Sequence, residues 1–575
     1  METKLKDRHK NFDKRVGCLQ FGVGLFVVCL LLYLFLIQVA DVRHYRDRAK
    51  FQRSSELFVL RGEILDRNGF KLASDNTSFT LYAHPRYYDY PPDELAQKLS
   101  PLVKIPVDKL TKTLAEVDNQ VILIKRGLDR KTADQIKKLS LREISLEPKN
   151  KRIYPQGALA SHILGFYNPD ADVAGGIEYV AKDYLEYFDK NITYEKTRSG
   201  DVIYNLNTNP EDITAPIKGK TLNLTIDSAV QHICEKYLYK TIQKTNALRG
   251  AVIVLDPKTG EVLALAAYPY YDPNNYKKHS LLEMKNWAIT DVYPPGSTFK
   301  VVSVASAMIN GKADINTKIL DTGKMKIGWW EIVNYDYSRQ KSPQLIDLVY
   351  LFEHSSNVAS VKIAQMMSPQ EFYDTLQAFN FGQKTGIDLP GESPGILPPV
   401  KNWDVATHAS MGYGYGASVT AIQMASAVAA IANKGVWITP HVIKYPEEEL
   451  PDKVVSRRVM SEESAADLTK ILVKSIENGK NIAKMDEYYV AAKTGTSRRP
   501  LEHGAGYSNK LYTSMVGFLP ATDPKAVIYV VIDSPTGEQI WGSTVAAPVF
   551  KDICTELAKI LNLNPDKKDF EKHKI

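Results

Sequence analysis

The sequence predicts an α+β protein hung from a single membrane helix, and three observations predict it. Residues Val16 to Ala40 carry no charged side chain, and those 25 positions exceed the roughly 20 that a helix needs to cross a bilayer. Past residue 218, an apolar strand pair (Ala251–Leu255 and Val262–Ala267) comes early, and three strands (Tyr488–Ala492, Tyr512–Phe518 and Ala526–Asp533) come late. Between the two groups lies a helical insert, Trp287 to Ile476. One five-stranded antiparallel sheet accounts for this order, with terminal helices on one face and a helical lobe on the other.

The elements follow from the N-terminus. Lys4, Lys6, Arg8, Lys10, Lys14 and Arg15 outweigh Glu2, Asp7 and Asp13 ahead of the apolar run. That excess holds the N-terminus in the cytoplasm, against a weaker opposing signal from Arg43, Arg46 and Arg48. The run is longer than the apolar region of a cleaved signal peptide, so it reads as an uncleaved anchor. The expected division is a cytoplasmic tail at 1–15, an anchor at 16–40, a non-catalytic module at 41–217, a catalytic domain at 218–565 and a polar tail at 566–575. In the module, Arg61 to Gly69 reads as a short strand closing on an Asn-Gly turn. Helical patterns follow at Pro92–Leu102 and Arg130–Leu139, and no nucleophile constellation occurs there. In the catalytic domain, Asp227–Lys244 reads as an amphipathic helix. The first strand pair turns through Asp256-Pro257-Lys258-Thr259-Gly260, and a closing helix spans about Ala546 to Leu561.

Composition excludes several classes. The formal charge of +7 is small for 575 residues, and no basic stretch with interleaved aromatics suggests nucleic-acid binding. Histidines and cysteines lack metal-ligand spacing, so neither a metal nor a cofactor is expected. Cys18 and Cys29 fall in the anchor. Cys234 and Cys554 fall in two predicted helices and read as buried free thiols, with pairing left open.

Three motifs carry the chemistry. Ser297-Thr298-Phe299-Lys300 follows the loop Pro294-Pro295-Gly296 and opens a helix expected from Thr298 to Ile309. Three residues apart, the hydroxyl of Ser297 and the amine of Lys300 share a helical face. A lysine buried beside another cation loses its proton readily and acts as a base. Ser338-Arg339-Gln340-Lys341 has the same spacing but sits in a polar stretch without a seating helix. Ser355-Ser356-Asn357 comes second. It suits a helix cap, or a relay in which Ser355 passes a proton and Asn357 binds a substrate amide. Lys-Thr-Gly occurs three times, at Lys258, Lys384 and Lys493. Only Lys493-Thr494-Gly495, followed by Thr496, continues an apolar strand, where an edge can pair with an extended peptide. There Lys493 offers a cation for a carboxylate, Gly495 leaves room for close approach, and the N–H groups of Ser297 and Thr496 can form an oxyanion hole.

In this order the motifs resemble those of a penicillin-binding protein, specifically a class B, monofunctional D,D-transpeptidase. The resemblance covers nearly the whole chain. It includes Arg61-Gly62 to Asp66-Arg67 and Gly175-Gly176-Ile177-Glu178 in the N-terminal module, where Arg152-Ile153-Tyr154-Pro155 also stands out. It extends to Asp272-Pro273-Asn274-Asn275-Tyr276, Gly412-Tyr413-Gly414-Tyr415-Gly416, Gly506 to Lys510 and Val545 to Phe550. These phrases are most similar to the division-type, septal member. The resemblance implies an elongated pedestal module and a serine β-lactamase-like catalytic domain. It also implies that Ser297 attacks the penultimate D-Ala carbonyl of a peptidoglycan stem peptide, releases the terminal D-Ala and passes the acyl group to an amine, and that β-lactams acylate Ser297. By analogy the pedestal docks a SEDS-type glycosyltransferase and other division-complex membrane proteins, with the catalytic domain outside the inner membrane. One departure is Trp541-Gly542-Ser543, where the family often has paired glycines.

Two rival readings remain at this stage. A D,D-carboxypeptidase would use the same three motifs. A β-lactamase would add a Glu to activate water, and no Glu-x-x-Leu-Asn segment follows Asn357. A division scaffold with incidental acylation is the non-enzymatic alternative. A sensor would need more membrane segments than the one found.

Overall fold

In the computed structural model, which describes residues 2–36, 54–56, 59–116, 119–169, 171–187, 193–196, 202–203, 217–328, 330–338, 344–479, 481–501 and 506–567, the chain divides into two compact units. One comprises Met1–Leu60 with Phe188–Lys218 and the other Arg61–Tyr187 with Gly219–Ile575.

The first unit holds helix α1 (Glu2–Phe35), whose segment Val16–Phe35 is long and apolar enough to cross a membrane and has none of its surface buried by protein. Apolar area left in water costs about 25 cal/mol per Å², so a helix of this composition calls for lipid around it. Residues 37–40 of the expected span lie outside the described residues. Strands Ser54–Glu56 and Thr193–Lys196 pair antiparallel in the same unit.

The second unit begins with a small sheet. Strand β1 (Ile64–Leu65) closes on Asp66–Gly69, where Gly69 has φ +83° and Asp66 Oδ1 accepts from the N–H groups of Asn68 and Phe70 at 2.9 and 2.7 Å. Next, β2 (Lys71–Ala83) is flanked by β3 (Ile122–Leu128) and β4 (Ile144–Ile153), both antiparallel to it. Helices α2 (Pro92–Val103), α3 (Val107–Leu114) and α4 (Arg130–Lys137) cover this sheet with Leu95, Leu99, Leu110, Leu114 and Ile136. Beneath it, three phrases singled out in the sequence meet in one ion network. Arg61 Nε and Arg152 Nε donate to the two carboxylate oxygens of Glu178 at 2.7 and 2.6 Å, and Tyr154 Oη donates to Glu178 Oε1 at 3.1 Å. Arg152 also pairs with Asp75 at 3.2 Å, and these charged side chains are 1% exposed or less. Tyr154 exchanges hydrogen bonds of 2.9 Å with the side chain of Asn274, which ties this network to the catalytic domain.

The catalytic domain is built on the predicted sheet. Helix α5 (Ser228–Thr245), capped by Asp227, leads into β5 (Arg249–Leu255) and β6 (Val262–Tyr268). The helical insert follows, with α6 (Lys300–Ile309), α7 (Leu348–His354), α8 (Asn357–Gln365), α9 (Ala421–Ala432) and α10 (Glu462–Asn478) as the helices that matter here. It also carries short strands that the sequence reading missed, and four of them bear on the site. They are β7 (Lys318–Asp321), β8 (Lys324–Ile327), β9 (Trp330–Val333) and β10 (Gln344–Asp347), with β7 paired to β10 and β8 to β9. At four residues each, they are too short for period-2 alternation to stand out.

After the insert come β11 (Ala491–Pro500), β12 (Tyr507–Leu519), β13 (Ala526–Asp533) and α11 (Ala546–Ile560). Sheet order is β6-β5-β13-β12-β11, antiparallel throughout. Alternate residues of β5 and β13 point to opposite faces. Val252, Val254, Ile528 and Val530 pack with α5 and α11, whereas Ile253, Val527, Tyr529 and Val531 join the core of the helical lobe. Cys234 and Cys554 are buried in the first of these cores as free thiols, and burial raises both thiol pKa values. One boundary is corrected. The strand expected at Tyr488–Ala492 runs instead from Ala491 to Pro500, so Lys493 to Thr496 lies inside it. The strand leaves its apolar stretch as it becomes the sheet edge, and apolar pattern alone placed its end too early.

Candidate active site

Three stretches distant in sequence meet in one cleft of about 900 Å³, lined by Ser297, Ser355, Asn357, Lys493, Thr494, Gly495 and Thr496. Lys300, the eighth motif residue, is completely buried beside it. A larger pocket of about 1020 Å³ contains none of these residues. Its charged groups are already engaged, Arg67 with Glu261, Asp523 with Lys258 and Lys525, and Asp566 with the N–H of Tyr489.

Ser297 sits on a 3-10 turn, Gly296–Phe299, that feeds directly into α6, where the sequence suggested an α-helix from Thr298. Gly296 has φ +58°, a conformation costly for other residues, and a side chain there would meet Ser497 Cβ at 2.9 Å. The turn is pinned on both sides. Gly296 N–H donates to Gly414 O at 3.1 Å, and Ser497 Oγ donates to Pro294 O at 2.6 Å. A methyl on Gly414, whose φ is +84°, would stand 2.3 Å from Gly296 O. Thus the Gly-Tyr-Gly-Tyr-Gly segment closes against the turn that presents Ser297.

Lys300 Nζ donates to Ser355 O at 2.6 Å, Ser355 Oγ at 3.1 Å and Asn357 Oδ1 at 2.8 Å. These three neighbours direct Nζ at the second motif. Burial, and next the charge of Lys493, push its pKa well below that of an ordinary lysine, while Asp321 and Asp336 oppose the shift. The shift favours the neutral amine, whose lone pair can accept a proton. Burial brings Lys493 down to about 7, and its Nζ donates to Thr494 O at 2.9 Å.

Ser355 takes a left-handed backbone at the end of α7, and Ser356 caps α8 by accepting from Ala359 N–H. The cap reading holds for Ser356, leaving Ser355 and Asn357 to the cleft. Asn357 differs from expectation, since its oxygen faces Lys300 and its Nδ2 donates to Val333 O at 3.0 Å. What the sequence reading missed is Asn334, which lies just past β9. Its Oδ1 accepts from Asn357 N–H at 2.9 Å and Val358 N–H at 3.1 Å, and its Nδ2 donates to both oxygens of the buried Asp321. No local pattern marks it.

Gly495 and Thr496 lie on β11, the sheet edge that faces the cleft. A methyl on Gly495 would meet Ser514 Oγ at 2.5 Å and Thr298 Cγ2 at 2.9 Å, so glycine lets the edge approach the nucleophile turn. Gly542 N–H donates to Thr496 Oγ1 at 3.0 Å, and position 542 requires glycine because Gly495 O would lie 2.2 Å from any added Cβ. The other two Lys-Thr-Gly copies are structural. Gly260 N–H closes a turn on Asp256 O, and Thr385 and Gly386 donate to the carboxylate of Glu392. Of the second serine–lysine pair, Ser338 is described, whereas residues 339–341 lie outside the described residues.

A hydroxyl, a depressed lysine, a relay hydroxyl and a strand edge in one cleft suit acyl transfer through a serine ester. Comparison with known proteins agrees. The family model described as "Penicillin binding protein transpeptidase domain" matches residues 250–555, and that of the "Penicillin-binding Protein dimerisation domain" matches 57–224. The chain is 31% identical to the probable peptidoglycan D,D-transpeptidase PenA of Neisseria gonorrhoeae, over 96% of this chain and 94% of that protein. It is 30% identical to the peptidoglycan D,D-transpeptidase FtsI of Escherichia coli K12, over 98% and 95%. The crystal structure of penicillin-binding protein 2X from Streptococcus thermophilus shares its fold, with TM-score 0.71 at 23% identity over 89% of this chain and 81% of that one. The chain belongs to the class B penicillin-binding proteins and is a serine-type peptidoglycan D,D-transpeptidase.

Proposed function

We propose that Ser297 is the nucleophile and that the other seven motif residues complete its machinery. Lys300, neutral in its buried site, takes the hydroxyl proton as Ser297 Oγ attacks the penultimate D-Ala carbonyl of a stem peptide. The N–H groups of Ser297 and Thr496 stabilise the developing oxyanion. Ser355 carries the proton from Lys300 to the leaving D-Ala amine. Asn357 holds Lys300 in position, and Lys493 with Thr494 binds the terminal carboxylate. Gly495 keeps the edge of β11 open to the donor peptide. An amine then takes the acyl group, forming the cross-link, and β-lactams acylate the same hydroxyl. The observation that carries this reading is the contact of Lys300 with both Ser355 and Asn357 at the wall of the cleft that Ser297 lines.

The setting extends the proposal. The helix at Val16–Phe35 acts as an uncleaved single-pass anchor in the inner membrane, N-terminus inside, with the catalytic domain outside. The chain works as module 41–217 and catalytic domain 218–565, serves septal wall synthesis, and meets a SEDS-type glycosyltransferase and other division proteins through the module. Labelling with a fluorescent penicillin, followed by mass spectrometry, tests the core of it. A stable adduct on Ser297, absent in Ser297→Ala, is expected, and label on another residue would sink the assignment.

A further inference from the structure

Glu353 is the one acidic side chain lining the cleft among the described residues, and no ion pair or hydrogen bond among them engages its carboxylate. Its neighbour His354, by contrast, is held by Asp336 at 3.1 Å. Glu353 lies in the last turn of α7, and α7 packs against α10. The C-terminal end of α10 reaches the same wall, through Ser475 and Gly479. A side chain added to Gly479 would begin 3.6 Å from Glu353 Oε1 and 3.6 Å from Ser475 O. The last carbonyls of a helix carry partial negative charge. A carboxylate and two helix C-termini therefore converge on one end of the cleft.

That end asks for a cation, and the lysines of the cleft do not provide it. Lys300 is engaged on Ser355 and Asn357, and Lys493 on Thr494. Arg498, five residues beyond Lys493 on β11, forms no ion pair with Glu353. The enzyme itself consumes a cation, because its second substrate is an amine that arrives protonated. The acceptor must reach the ester by the path along which the D-Ala amine leaves, past Ser355. Glu353 stands two residues from that hydroxyl.

We propose that Glu353, with the C-terminal ends of α7 and α10, forms the acceptor subsite and holds the incoming stem peptide by its primary ammonium group. This assignment rests on the Ser297 reading. The bound ammonium gives up one proton to the Glu353 carboxylate, which releases it to solvent, as the amine moves toward the ester. The amine nitrogen then bonds to the acyl carbon, the C–Oγ bond breaks, and a second proton from nitrogen returns to Ser297 Oγ through Ser355 and Lys300.

The test uses the full-length protein in detergent, a D-alanyl thioester donor and a synthetic stem tetrapeptide with one free primary amine. Glu353→Gln is expected to raise the acceptor KM by about tenfold or more, with kcat little changed, and to divert acyl-enzyme to hydrolysis. Glu353→Asp should recover part of the loss. In the unaltered enzyme the acceptor KM should rise with ionic strength, which decides the matter if the variants do not fold. An unchanged acceptor KM, or one insensitive to salt, overturns the proposal. So does a penicilloyl adduct that lives longer in Glu353→Gln at unchanged acceptor KM, since Glu353 would then be a base for water. Penicillin labelling keeps the two readings apart. Label on Ser297 with no acceptor effect removes only the subsite, whereas no label on Ser297 in the unaltered enzyme removes the nucleophile assignment and the subsite with it.

Discussion

Lys300 and Lys493 carry opposite requirements. In the proposed mechanism Lys300 is neutral when it accepts the proton of Ser297, and its depressed pKa favours that form. Lys493 must be charged to bind a carboxylate, and burial brings it to about 7. Acylation by a donor bearing a terminal carboxylate should therefore rise with pH as Lys300 loses its proton and fall above about 7 as Lys493 loses its own. A donor lacking the carboxylate should keep the rising limb and lose the falling one, measured as kcat/KM against pH. Equal profiles for both donors would mean that Lys493 does not bind the carboxylate. Asn334 is the second residue of consequence. Asn334→Ala strips two buried N–H groups of their acceptor and leaves Asp321 without its amide. It should cost about 2 kcal/mol or more of stability. It should also slow penicillin acylation of Ser297 by about ten- to a hundredfold through displacement of Ser355 and Asn357. Stopped-flow labelling and thermal unfolding read the two effects separately.

At the scale of elements, the edge strand β11 and the nucleophile turn fit together through glycines. Gly495→Ala places a methyl against Ser514 and Thr298, both held by the sheet and the turn. It should drive β11 from Ser297 and reduce acylation by about a hundredfold, while the melting temperature falls by only a few degrees, since surrounding strand pairing persists. Acylation at the unaltered rate would show that the edge has slack the geometry denies. These elements were unevenly legible. Strands β5, β6 and β13 and the Tyr512–Leu519 part of β12 are buried on both faces, and hydrophobicity reveals them. β11 turns polar where it meets the cleft, so the pattern stopped short at Ala492. β7 to β10 left no periodic trace, although β9 delivers the chain to Asn334.

At the scale of the whole molecule, the phrases Arg61-Gly62, Arg152 to Pro155 and Gly175 to Glu178 hold no chemistry and meet at the Glu178 network. Removing one member of a buried ion cluster leaves its partners charged and unpaired, at about 3–5 kcal/mol. Glu178→Ala should therefore lower the melting temperature and expose the Arg61–Tyr187 segment to limited proteolysis, with Glu178→Gln milder. Resistance equal to that of the unaltered protein would show that the network is dispensable. Three things were legible in the sequence alone: the long apolar helix, the order of the five strands of the catalytic sheet, and the three motifs that the fold gathers in one cleft. Each is written in residues close along the chain, where apolar runs and short spacings report directly on local structure. Tertiary structure decided the rest. It turned Asn357 toward Lys300, set Asn334 beneath the motif, closed the Gly414 loop on Ser297, and brought the ends of α7 and α10 together at Glu353. Such contacts join residues as much as 203 positions apart, as between Ser497 and Pro294, and they arise from packing, which leaves no local pattern to read.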